Sequence, residues 1–356
     1  MSGRSIGRRH VLSGLTTAPL CLSLMDWRAW AASPPPTPVT AELIEAEKKE
    51  GKVIWYTAVD LPVAERIAKA FEAKYPGIVM RVERSGGERI YQRIGQEYAS
   101  KIHAVDVVNS SDAAHFIAWK RDGILAPYVP DDVAVHYSPE HRDADGLYAS
   151  WRVWLSVIGY NTKLVSSAGA PRSFADLLDP KWIGKIVKAH PGYSGTIMTA
   201  TFQMAREIGW DYFEKLSRQK VTQLQSSADP PKKLALGERA IMADGNEYNL
   251  IQLKEKGEPV EIVYPAEGTP LIVGPSGVLK DAPNPNAARL LQSFMFSPEC
   301  QQLLVDYGGL RSVHALVKDK PGRKPLAEIK LMEDDPAAVE QQAEEIKARY
   351  TKYFKV

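Results

Sequence analysis

The apolar positions of this chain alternate between two spacings. Lys52 to Thr57 (KVIWYT) is a short run rich in β-branched and aromatic residues and predicts a buried strand. Pro62 to Tyr75 places Ile67, Ala70 and Phe71 on one helical face, with Pro62 in the first turn. The same switch repeats: a strand over Ile78 to Arg84, a helix over Glu88 to Ser100 through Ile90, Ile94 and Tyr98, and a strand over Val105 to Asn109. Two successive strand-helix-strand units imply a parallel sheet covered by helices. Ahead of them Thr40 can cap a short helix ending at Gly51. Behind them Ala113 to Gly123 predicts a further helix, and Ala126 to Ala149 an irregular passage.

Trp151 to Tyr160 (WRVWLSVIGY) has the composition of a single strand ending at Asn161, suited to crossing between lobes. A second alternation starts at Phe174. It runs through a strand at Lys185 to Ala189, a helix ending at Gly209 with Met198, Phe202, Ala205 and Ile208 on one face, a helix over Asp211 to Arg218, a strand near Val221 to Gln225, a helix over Pro231 to Leu236 and a strand over Ala240 to Ala243. It closes in a polar turn, Asp244 to Tyr248. Val260 to Tyr264 is one more strand, followed by helices over Pro285 to Phe296 and Pro298 to Tyr307. A terminal helix starts at Pro336, with Val339, Ala343, Ile346 and Tyr350 as a docking stripe.

In an open parallel sheet the loops after the strands gather at one edge, where such folds bind ligands. Here those loops are small and polar: Thr57 leads to Asp60, Arg84 to Ser85, Gly86 and Gly87, and Asn109 to Ser110, Ser111 and Asp112. The loop of the second alternation, Tyr193, Ser194, Gly195 and Thr196, stands at a helix start, where free amides and the positive dipole end favour an anion. Ser194 could equally be a plain cap. Arg84 and Arg152 could supply counter-charge, or lie on the surface.

Composition adds a bound rather than a function. The chain has 356 residues, enough for about two domains, with 44% hydrophobic and 25% charged residues and a net charge of +2, which gives no reason to expect nucleic acid or an anionic membrane as partner. Residues 1–31 have a basic start with paired Arg8 and Arg9, an uncharged middle and an A-x-A end, as in a cleavable signal of twin-arginine type, with a Sec signal as the alternative. Residues 32–39 (with SPPPTP) form a stiff linker. Cleavage would remove four arginines and one aspartate and leave a nearly neutral, exported, soluble chain. Cys21 leaves with the signal, so Cys300 has no intrachain partner. No GxSxG, HExxH, GxxxxGK[ST] or GxGxxG occurs, and the histidines lack ligand spacing; a secreted hydrolase or transferase is the lesser alternative.

Several segments carry a resemblance: Lys48 to Thr57, Asp179 to Ile186, Ser194-Gly195-Thr196, Glu267-Gly268-Thr269-Pro270, Asn284 to Ala288 and Ser297-Pro298-Glu299. In order and spacing the chain resembles the periplasmic solute-binding proteins of ABC importers, in the branch that includes ferric-ion-binding proteins. The resemblance implies a two-lobed α/β fold of type II, each lobe a mostly parallel sheet flanked by helices, with the ligand in the cleft between. It implies lobes near 40–155 with 265–315 and 156–264 with 316–356, a periplasmic monomer, a small-molecule solute and a membrane permease as partners, and no cofactor. Ferric-binding relatives hold the metal with two adjacent tyrosines in a turn like Asn246 to Asn249. Only Tyr248 matches, and Glu247 stands in the other place. Both are hard oxygen donors, so iron stays open; the serine-rich turns favour a small anion, such as an organic acid or phosphorylated compound.

Overall fold

The computed structural model describes residues 34–356. The basic amino-terminal stretch, its paired arginines and the expected cleavage point lie outside the described residues. Thr40 caps α1 (Ala41–Glu50) by accepting from Leu43 N–H at 3.2 Å, and Gly51 ends it at φ 70°. There follow β1 (Lys52–Thr57), α2 (Leu61–Lys74), β2 (Val79–Arg84), α3 (Gly87–Ala99), β3 (Val107–Asn109), α4 (Ala114–Arg121), β4 (Leu125–Ala126), α5 (Asp131–His136), β5 (Ala149–Leu155) and β6 (Ile158–Asn161). The second half holds β7 (Ile186–Ala189), α6 (Gly195–Ile208), α7 (Trp210–Ser217), β8 (Thr222–Leu224), α8 (Asp229–Ala235), β9 (Ile241–Met242), α9 (Glu247–Glu255) and β10 (Val260–Val263). The chain ends with β11 (Thr269–Leu279), α10 (Pro285–Phe296), α11 (Pro298–Asp306), β12 (Leu331–Met332) and α12 (Pro336–Phe354).

Two sheets result. The first has the order β12-β11-β3-β1-β2, with β4 and β5 also pairing with β11; the second runs β10-β6-β9-β7-β8. Each has a parallel centre, β2-β1-β3 and β8-β7-β9, as the strand-helix alternation requires. Antiparallel strands extend both: β11 joins β3 and β5, and β6 joins β9 and β10. The buried faces of α2 and α10 close one core around Trp55 and Trp151, whose rings meet edge to face at 5.6 Å. Phe174, Ile186, Phe213 and Ile241 anchor the other.

The expected single strand over Trp151 to Tyr160 is two strands in different sheets. Ser156 and Val157 separate them, because their amides bond outside the run, to Pro270 O at 3.0 Å and Gly245 O at 2.8 Å. The chain passes back between β10 and β11. Two elements were hidden in the sequence. α9 continues from the polar turn at Asp244 to Asn246, and its weak amphipathic pattern gives no period to read. β11 carries Pro270, Gly274, Pro275 and Gly277, which look like breakers; a bulge at Gly274/Pro275 accommodates them in the ladder. The passage from 126 to 149 contains the short α5.

Candidate functional site

The carboxyl ends of β1, β2 and β3 face those of β7 and β8 across a cleft. Its lining takes Ala58 and Asp60 after β1, Arg84, Gly86 and Gly87 after β2, Ser111 after β3, Tyr193, Ser194 and Thr196 after β7, and Ser226 and Ser227 after β8. Arg152 and Trp154 of β5 and Tyr248 of α9 form the floor. The opposing loops touch. A Cβ built at Gly86 would fall 2.9 Å from the Tyr193 carbonyl oxygen, and one at Gly195 would fall 2.7 Å from Asp112 Cβ, so only glycine allows this approach. Arg89 of α3 also hydrogen-bonds Gln225 across the gap. About 20 Å³ is left open to the centre of a water molecule, room for little more than one. A groove of about 700 Å³ continues from Asp60, Arg84 and Ser226 toward Tyr307 and Lys232.

Arg152 dominates the electrostatics. It is 1% exposed, and none of its three guanidinium nitrogens has a hydrogen-bond partner. Burial pushes its pKa down to about 10, partly offset by the facing Tyr248 hydroxyl and Asp60 carboxylate, so it stays a cation at neutral pH. Its guanidinium carbon sits 4.4 Å from the Trp154 ring centroid, so the indole face adds to the compensation from Tyr248 and Asp60. Arg84 adds a second positive charge, with Asp60 only at 3.8 Å. Asp60 accepts from Asn249 at 2.6 Å and is the one carboxylate in the lining.

Two longer helices point their starts into the same space. Neither Gly86 ahead of α3 nor Ser194 ahead of α6 gives a side-chain cap to its helix, which leaves first-turn amides available to a ligand. This departs from the reading of Ser194 as a plain cap. The buried Tyr248 hydroxyl accepts from Asn246 at 3.0 Å; burial, and next the Asp60 charge, raise its pKa well above the ordinary phenol value.

Of the residues expected from the sequence, Asp60, Arg84, Gly86, Gly87, Ser111, Arg152, Tyr193, Ser194, Thr196 and Tyr248 are brought together here. Four stand immediately behind. Thr57 donates to Asn109 at 3.2 Å and accepts from Val59 N–H; Ser110 pairs with His115 Nδ1 at 2.7 Å; Asp112 accepts from Ala114 N–H and Thr199; Gly195 is the contact point already described. Ser85 lines a separate arginine-rich groove with Arg89 and Arg93.

Glu247 lies away from the cleft, contrary to its expected place beside Tyr248. It is fully buried and accepts from Arg311 at 2.8 and 3.1 Å, from Arg323 at 2.6 Å and from the Tyr264 hydroxyl at 2.6 Å. Burial opposes its charge, but the two arginines outweigh it and hold its pKa below the usual carboxyl range. All of its acceptor capacity is committed. Trp154, Ser226 and Ser227 escaped the sequence reading. The serines follow a parallel strand, so the rule that found Ser85 and Ser110 applies to them as well.

The chain has counterparts among known proteins. A protein of Salmonella typhimurium provisionally named a 2-aminoethylphosphonate-binding periplasmic protein is 27% identical over 242 residues, which is 64% of this chain and 67% of that one. The periplasmic binding protein AfuA from Actinobacillus pleuropneumoniae, solved with exogenous fructose-6-phosphate, superposes with a TM-score of 0.77 at 24% identity, over 86% of this chain and 99% of that one. Iron-bound HitA from Pseudomonas aeruginosa gives 0.73 at 24% identity, over 85% and 99%. At these identities the structural likeness is one of fold: two α/β lobes with a cleft between them. The sequence model of the bacterial extracellular solute-binding proteins matches residues 104–329, well over half of the chain and most of both lobes, and the protein belongs to that family.

Proposed function

We propose that the protein is the substrate-binding subunit of an ABC importer, capturing a small anionic solute, an organic acid or a phosphorylated compound, and presenting it to a membrane permease. The observation that carries this reading is the buried Arg152 guanidinium, which faces the Tyr248 hydroxyl but makes no well-formed hydrogen bond, in a lining shared with two helix starts that lack side-chain caps. A buried charge without well-formed hydrogen bonds is costly, and an anion that accepts from it recovers that cost. Arg84 and Arg152 against the single carboxylate of Asp60 leave a positive site. Fructose-6-phosphate and 2-aminoethylphosphonate, named for the two relatives above, both carry a phosphorus oxyanion. Asp60 and Asn249 would then receive hydroxyl or ammonium groups of the solute's body. The nearly closed cleft implies that solute enters by opening at the chain crossings near Ser156 and residues 264–268. The protein would hold and release without turnover, as an exported monomer in the periplasm.

Iron is the second reading, favoured by Tyr248 in the lining and the fold shared with HitA. Against it stand the raised Tyr248 pKa, the neighbouring Arg152 cation and the committed Glu247 carboxylate. Native mass spectrometry of the protein as purified, followed by thermal-shift titration with phosphate esters, phosphonates, dicarboxylates and ferric citrate, separates the two. A bound anion present at a thousandfold its Kd should stabilise by about 4 kcal/mol. An intense visible band with ferric ion that vanishes in Tyr248→Phe, with no stabilisation by any anion, would establish the iron reading instead.

A further inference from the structure

No residue of α12 lines the cleft, yet the helix reaches the support of both walls. On one side Lys347 Nζ lies 3.1 Å from Glu88 Oε2. Glu88 is the second residue of α3, directly after the lining residue Gly87, and its other oxygen meets His115 Nε2 at 2.8 Å. His115 Nδ1 in turn meets Ser110 Oγ at 2.7 Å, one residue from the lining residue Ser111. Glu88, His115 and Ser110 are buried, so this relay is held in a fixed geometry.

One turn further along, Tyr350 takes the opposite wall. Its hydroxyl accepts from the buried Lys188 at 2.7 Å and donates to Gln223 at 2.9 Å, and the Lys188 ammonium stands 4.4 Å from the centre of its ring. The edge of His190 packs on the same ring at 4.9 Å. The carbonyl of His190 accepts the amides of Tyr193 and Ser194, both at 3.2 Å, and so anchors the turn that starts α6. Ahead of these two attachments along α12, Val339 and Ile346 share one apolar cluster with Ala114 of the first lobe and Met198 and Phe202 of the second.

We propose that α12 is a brace across the two lobes, and that Lys347 and Tyr350 are positioning residues of the ligand site, the first acting through Glu88 and His115, the second through Lys188 and His190. Opening the cleft separates α3 and α4 from α6, so α12 must yield its attachments to one side, either those of Lys347 to Glu88 and Glu340 to Arg121 or those of Tyr350 to Lys188 and Gln223. The brace thereby favours the arrangement in which the loops meet. It rests on reading the cleft as the ligand site.

Its test needs no ligand, so its outcome is independent of the solute's identity. Spin labels on Gln96→Cys of α3 and Lys215→Cys of α7, both exposed, report the interlobe distance by pulsed electron resonance in the ligand-free protein carrying Cys21→Ser, while the buried Cys300 stays unlabelled. Lys347→Met and Tyr350→Leu should each broaden the distribution toward longer distances. Lys347→Arg, which keeps the cation, should return it to that of the parent, and Glu345→Gln on the exposed face should leave it unchanged. Circular dichroism establishes that each variant is folded, and Tyr350→Leu serves alone if Lys347→Met is not. Distributions indistinguishable from the parent in a folded Lys347→Met or Tyr350→Leu protein would overturn the proposal.

Discussion

A single side chain sets the character of the cleft. Arg152 lies on a strand whose every residue is buried, and its charge is met only by the facing Tyr248 hydroxyl and the Asp60 carboxylate, with no well-formed hydrogen bond to either. Burying a charge without well-formed hydrogen bonds costs stability, and apolar volume in its place removes that cost. Arg152→Met should therefore leave the ligand-free melting temperature unchanged or raise it, while abolishing stabilisation by an anionic solute. Calorimetry of the ligand-free variant decides: a fall of several degrees would make Arg152 part of the scaffold. The sequence made Arg152 a candidate but could not choose between cleft and surface, because an arginine among Trp151, Val153 and Trp154 fits either. Glu247 and Tyr248 show the limit more sharply. Neighbours on a helix point about 100° apart, so at the start of α9 one side chain enters the cleft and the other turns to the chain crossings. Their adjacency in the sequence suggested a shared site that the helix does not permit.

At the scale of elements, the site is made of helix starts and strand ends. That is why so much of it was legible: the alternation fixed the parallel order, and the parallel order fixed the edge where Asp60, Gly86, Ser111 and Ser194 collect. What stayed hidden were elements without a period, α9 and the proline-bearing β11. The contact between loops was hidden too, since nothing local in the sequence pairs Gly195 with Ser111. That contact gives a test. Alanine at 195 suits a first helical turn at least as well as glycine, so the fold should tolerate it. Its Cβ, however, would lie 2.7 Å from Asp112 Cβ and 2.9 Å from Ser111 Oγ when the loops meet. Gly195→Ala should keep the ligand-free melting temperature within a few degrees and speed solute release tenfold or more, about 1.4 kcal/mol of lost affinity. Stopped-flow release measurements would refute the close fit if the rate were unchanged.

Across the whole molecule, the chain passes between the two sheets at Ser156 and Val157 and again at residues 264–268, and Glu247 sits beside these crossings. It opens α9 in the second lobe, accepts from Tyr264 just ahead of the passage into β11, and binds Arg311, whose backbone bridges Val153 of β5 in the first lobe. Arg323 and the partly exposed Asp319, which accepts from both arginines, complete the cluster. The Glu247 carboxylate is thus the buried counter-charge of two cations that are almost wholly shielded from solvent. Removing it leaves both buried without that partner, and losing one member of such a cluster costs on the order of 3–5 kcal/mol. The consequence bears directly on iron. Glu247→Tyr restores the adjacent tyrosines that ferric-binding relatives use, but in this chain the new ring would have to fill the space of a carboxylate held by Arg311 and Arg323. We expect Glu247→Tyr and Glu247→Gln alike to lower the melting temperature markedly, and Glu247→Tyr to give no tyrosinate colour with ferric ion. A stable Glu247→Tyr protein with an intense visible ferric band would show that the position opens onto the cleft after all, and that the joint between the lobes does not depend on its charge.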